Sequence, residues 1–95
     1  MTRAWWKHTL IAESDRVVVA DGRHWFPRED VRLDYLRESQ TRTAFPGLGR
    51  ARYWHVIVKG ELKADAAVSF PDPGPERAAI RGRVAFQHGV EIEAG

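Results

Sequence analysis

The chain contains no cysteine, no asparagine, a single methionine and no long hydrophobic run. Without cysteine there is no disulfide framework and no thiolate metal centre, and the absence fits a reducing compartment. The longest apolar stretches are four or five residues, as in VVVA at 17–20, whereas a membrane-crossing helix needs about 20. The opening MTRAWWKH lacks the apolar centre of a signal peptide. The expectation is therefore a cytoplasmic protein that does not enter a membrane. Neither sign of charge dominates, since 15 Lys and Arg against 13 Asp and Glu leave +2. That surplus is too small to point to nucleic acid by itself.

What is present describes one small domain over residues 1–95. Hydrophobic residues make up 43% and charged residues 29%, an ordinary globular balance. A chain of this size buries roughly two thirds of its unfolded surface, so its core is thin. Arginine supplies twelve of the fifteen cations, which together with the missing asparagine suggests the codon usage of a GC-rich bacterium. The arginines cluster: Arg37, Arg42, Arg50 and Arg52 lie close together in the chain, and Arg81 and Arg83 form a second pair.

Period-two patterning dominates and predicts an all-β, mainly antiparallel domain. AWWKHTLIAES (4–14) reads as one strand, with Ser14-Asp15 as the turn after it. RVVVADG (16–22) reads as a second, and Asp21-Gly22 marks a hairpin to RHWF (23–26), because both central residues of a type I′ turn need positive φ. FPREDVRLDYL then changes period and predicts one short helix near residues 27–36, with Pro27 in its first turn and Glu29 and Asp30 at its positive end. RESQTRTAF (37–45) reads as an edge strand. RARYWHVIVKGEL (50–62) is the longest strand signal, turning at Gly60, and AAVSF (66–70) is a short strand. PDPGPE (71–76) is a rigid loop, and ERAAI has room for a helical turn. RVAFQ, His88-Gly89 and VEIEA read as a closing hairpin.

Several phrases, HWFPREDV, SQTRTAFPGLGRARYW, FPDP and VAFQHGVEIE, resemble in order and spacing the bacterial proteins of domain of unknown function family 427. The resemblance runs from Trp5 to Glu93. It implies a β-tent-like fold, similar to methionine-R-sulfoxide reductases and the ligand-binding domain of cereblon-type proteins. A nucleotidyltransferase-like label has been attached to the family, yet the paired carboxylates that would hold metal ions for such chemistry are absent as a motif here. The family's loop pattern is Thr, one residue, then Cys-Pro-aromatic-Lys-Gly-x-Ala-x-Tyr. Thr43, Pro46, Gly49, Ala51 and Tyr53 match it. Phe45 stands at the Cys position, Gly47 at the aromatic and Leu48 at the Lys. Both side chains able to form covalent intermediates are thus replaced by apolar ones.

These residues predict a small-molecule pocket where the 42–50 loop meets the strands of Trp25 and Trp54. Trp25, Trp54 and Phe45 would wall it for a flat or cationic ligand, or serve simply as large core side chains. Arg42 and Arg52, with Arg50 beside them, would clamp a carboxylate or phosphate, or lie on a solvated strand face. His55 or His24 would move a proton and Tyr53 would donate to a developing oxyanion. The bland alternative for His55 is a half-exposed strand histidine. No metal and no cofactor is implied, since the four histidines lack ligand spacing. The expected function is an acid-base enzyme that preorganises its substrate, of isomerase, dehydratase or cyclase type. The alternative is a non-catalytic module that binds a ligand or a protein, for which a homodimer is one arrangement. Nucleic acid and membrane are not expected partners.

Overall fold

The computed structural model describes residues 1–95 and is built almost wholly of antiparallel strands. β1 (Thr2–Trp6) and β2 (Thr9–Ser14) form a hairpin, and β9 (Glu91–Glu93) pairs with the other edge of β1. β3 (Val18–Ala20) and β4 (Arg23–Trp25) form a separate two-stranded ribbon. The main sheet runs in the order β5 (Leu36–Phe45), β6 (Gly49–Val58), β7 (Glu61–Ser69) and β8 (Ala85–Phe86). Isolated bridges tie Phe26, after β4, to Val84, before β8, and Ala12 of β2 to Val31. No helix is long and apolar enough to cross a membrane.

The Asp21-Gly22 turn has φ values of 52° and 74° and closes β3 onto β4 as its sequence predicts. The long β5 forms the sheet edge. Three expectations are corrected. The stretch 4–14 is two strands, because Lys7 and His8 take φ of 50° and 59° and reverse the chain between them. Lysine gives no signal of a left-handed turn, and histidine, though enriched there, gives a weak one. The short helical segment near 27–36 is two 3-10 turns, Arg28–Asp30 and Leu33–Tyr35. Between them Val31 is extended and bridges Ala12, while the Arg32 amide donates to the Ile11 carbonyl at 2.9 Å, so pairing to β2 breaks the helix. The last two strands do not form a hairpin. β8 pairs with β7 and β9 with β1, placing Phe86 opposite Ala67 and Ile92 opposite Ala4. Alternation records which side chains are buried and says nothing about which strand lies alongside.

The main sheet separates two apolar clusters. Val56 and Val58 of β6 enter the first with Ala4, Ile11, Phe26 and Phe86, and Trp54 packs against it. Ala51 enters the second with Trp25, Val68, Phe70 and Ile80, and Tyr53 packs against that one. The alternation of a strand thus assigns even-numbered β6 residues to one face and odd-numbered ones to the other. Each fully buried large side chain in these clusters contributes on the order of 1.5–3 kcal/mol.

Both neighbours of β6 bulge at one level. β5 advances from Glu38 to Arg42 while β6 advances only from Trp54 to Arg52. β7 advances from Lys63 to Ala67 against Val56 to Trp54. Bulges of this kind re-aim side chains.

Candidate functional site

The β5–β6 hairpin tip and the rigid loop after β7 enclose a groove of ≈ 740 Å³. Its walls include Arg42, Arg50 and Arg52, with Thr43, Pro71 and Asp72. The register explains the cluster. Arg42 stands directly opposite Arg52 and Ala44 opposite Arg50, so these side chains share the even-numbered face of β6. Like charges facing each other across a strand pair are destabilising. One carboxylate offsets this: Glu38 accepts from Arg42 Nη2 at 3.4 Å and from Arg52 Nη2 at 3.0 Å. The Nε of Arg52 is buried and has no hydrogen-bond partner, although a buried donor normally finds one.

The tip is held by backbone contacts as well as by Phe45 against Phe70 and Leu48 against the second cluster. Gly49 has φ of 86°, and a Cβ there would lie 2.8 Å from the Asp72 carbonyl oxygen. The Gly74 amide donates to the Gly47 carbonyl at 3.3 Å. Pro71 and Pro73 stiffen the opposing loop, so the groove is preformed at this end.

The opposite face of β6 carries a second polar group. Asp65, in the β7 bulge, has φ of 51°, a conformation costing a non-glycine residue about 1–2 kcal/mol. Its amide donates to His55 Nδ1 at 3.1 Å, and its carbonyl accepts from Gln87 Nε2 at 2.8 Å. Its Oδ2 accepts from the Thr41 hydroxyl at 2.8 Å, whereas Oδ1 is buried without a partner, 3.8 Å from His55 Nδ1. The Ser39 hydroxyl, then that of Thr41, then the nearby His55 hold the Asp65 carboxyl below the usual aspartate range, against the opposing effect of burial. With Nδ1 accepting from the backbone, the neutral ring of His55 carries its proton on Nε2.

The structure therefore divides the residues picked out from the sequence. Arg42, Arg50 and Arg52 come together in the groove, with Trp54 on the same strand face. Tyr53 and His55 lie on the other face. His24 sits opposite Val19 in the two-stranded ribbon, and Phe45 is 39% exposed, edge-on to Phe70 at 5.8 Å. Trp25 is only 1% exposed, and its indole N–H donates to the Ala20 carbonyl at 2.9 Å, so it is a core residue with its polar atom already used. Asp65, Ser39 and Thr41 escaped the sequence reading because bulges leave no periodic signal. Asp72 escaped because its place beside Gly49 depends on a contact distant in sequence.

No group of three or more His, Asp or Glu side chains is assembled to hold a metal ion. A family model described as a domain of unknown function (DUF427) matches residues 1–94. No curated protein matches the chain.

Proposed function

Since the chain belongs to the DUF427 family, whose description names a domain and no reaction, we propose its function from the groove: it binds a small organic anion between the β5–β6 hairpin and the loop at 71–74. The single observation that carries this reading is the charge of the walls. Three arginines line the groove, and the carboxylates beside them, Glu38 and Asp72, number only two. Guanidinium forks match carboxylate and phosphate oxygens in a plane. The preformed tip lowers the ordering cost of binding.

Amide NMR titration with inorganic phosphate and with a small dicarboxylate tests it. Shifts centred on Thr43, Arg50 and Arg52 that vanish in the Arg50→Gln, Arg52→Gln double variant are expected. Shifts confined to another face would overturn the assignment.

A second reading keeps acid-base catalysis and centres it on His55, with Tyr53 as a neighbouring donor. It is favoured by the strained Asp65 backbone and the unpartnered Oδ1 beside His55 Nδ1, since strain and unsatisfied groups gather at working sites. In this form the arginine groove and the acid-base pair lie on opposite faces of β6 and serve different parts of a ligand or different ligands. Native mass spectrometry of protein purified from its own cells gives the bound anion. Incubating that anion with fresh protein and following it by NMR then separates the readings: a changed structure, isomers included, supports the enzyme, and an unchanged ligand leaves the binding domain.

A further inference from the structure

We propose that the groove is one end of a longer anion-binding strip, and that its ligand carries several linked anionic groups in the manner of a short phosphate chain. This rests on the reading of the Arg42–Arg50–Arg52 groove as an anion site. A second groove, of ≈ 370 Å³, has no hydrophobic residue in its walls and is lined by Arg16, Arg28, Arg81 and Arg83 with Pro27, Glu29 and Gly82. One ion pair links the linings of the two grooves. Asp72 lines the first and Arg81 the second, and Arg81 Nη1 lies 3.4 Å from Asp72 Oδ1. That single ion pair is the seam between them.

The second groove is also undercompensated. Arg16 is balanced by Asp30 at 3.3 Å and reaches Glu29 at 4.0 Å. Arg83 donates to a neutral acceptor, the Arg16 carbonyl, at 2.7 Å. Arg28 has no ion pair. The seam pair is exposed, with Asp72 at 90%, so it exchanges one anionic partner for another at little cost. A ligand group arriving at Arg81 would replace Asp72 there and join the two grooves through one continuous row of guanidinium donors.

Phosphate chains fit this row better than nucleic acid does. No aromatic side chain lines either groove, so unpaired bases would find no stacking platform. Glu29, Glu38 and Asp72 interrupt the strip, which suits a ligand of a few charges rather than a long polyanion. A lone monoanion would use one groove and leave the other idle.

Calorimetric titration at fixed ionic strength with inorganic phosphate and with tripolyphosphate tests the proposal. Tripolyphosphate is expected to bind at least tenfold tighter than phosphate. Arg28→Gln, which removes a side chain without an internal partner, is expected to weaken tripolyphosphate at least threefold and leave phosphate unchanged. Arg83→Gln should do the same, with its melting temperature measured because it also loses the bond to Arg16. Lys7→Gln, outside both grooves, should change neither. Equal affinity for the two probes, or a Lys7→Gln effect as large as that of Arg28→Gln, would refute the strip. Absence of any phosphate binding that Arg50→Gln and Arg52→Gln could weaken would instead refute the groove reading beneath it.

Discussion

Arg42 and Arg52 stand directly opposite each other on adjacent strands, and both are held by one carboxylate, that of Glu38. Two cations sharing one anion leave a surplus positive charge at the groove wall. Glu38→Gln is therefore expected to act in two directions. It should lower stability by about 0.2–1 kcal/mol, the range for exposed ion pairs, while tightening phosphate binding. Urea unfolding and phosphate titration of the same variant check both signs, and weaker binding would show that Glu38 orients the arginines more than it neutralises them.

Gly49→Ala should destabilise the domain by about 1–3 kcal/mol, because a Cβ meets the Asp72 carbonyl oxygen at 2.8 Å and φ is 86°. Gly22→Ala provides the contrast: its φ is 74°, but a Cβ there meets nothing within 4 Å. A larger loss of melting temperature at Gly49 than at Gly22 is the expected order.

Trp25→Ala should cost about 3–5 kcal/mol, the usual penalty for emptying a core aromatic site, and so threaten folding outright. Trp25→Phe should keep the fold with a smaller loss. Denaturant midpoints decide the point. A Trp25→Ala chain that stays as stable as the parent would return Trp25 to the list of ligand-binding candidates.

Acid stability should depend on Asp65 with a definite sign. Its carboxyl is depressed in the folded state by the Ser39 and Thr41 hydroxyls. Its contribution is therefore complete above the ordinary aspartate value of 3.8 and is lost as pH falls below that value through the depressed one. Asp30 behaves alike, held low by the Ser14 hydroxyl and then by Arg16. In Asp65→Asn, stability should fall less steeply with acid over that window, measured as urea midpoints across a pH series. An unchanged slope would mean that Asp65 is no better solvated folded than unfolded.

The sequence disclosed the strand content, the Asp21-Gly22 hairpin and the turn at Gly60, because each leaves a local mark: alternation, a turn pair, a glycine. It disclosed the arginine cluster because those residues fall close together along the chain. It could not disclose that β9 joins β1 or that Arg81 reaches Asp72, which are choices of partner and not of pattern. The separation of Tyr53 and His55 from Arg52 was within its reach. Once β6 is accepted as a strand, alternation alone puts Arg52 and His55 on opposite sides. The bulges at 39–41 and 64–66 replace alternation with irregular backbone, so Asp65 carried no signal despite having Ser39, Thr41, His55 and Gln87 as polar neighbours.

The hairpin tip is anchored through Gly49 against the Asp72 carbonyl and through the Gly47 carbonyl against the Gly74 amide. Phe45 against Phe70 and Leu48 against the second cluster add apolar contacts to that anchor. The residues that place the tip are thus distinct from the arginines that charge the groove, so its affinity can be changed at Arg50 or Arg52 without touching what holds it in place.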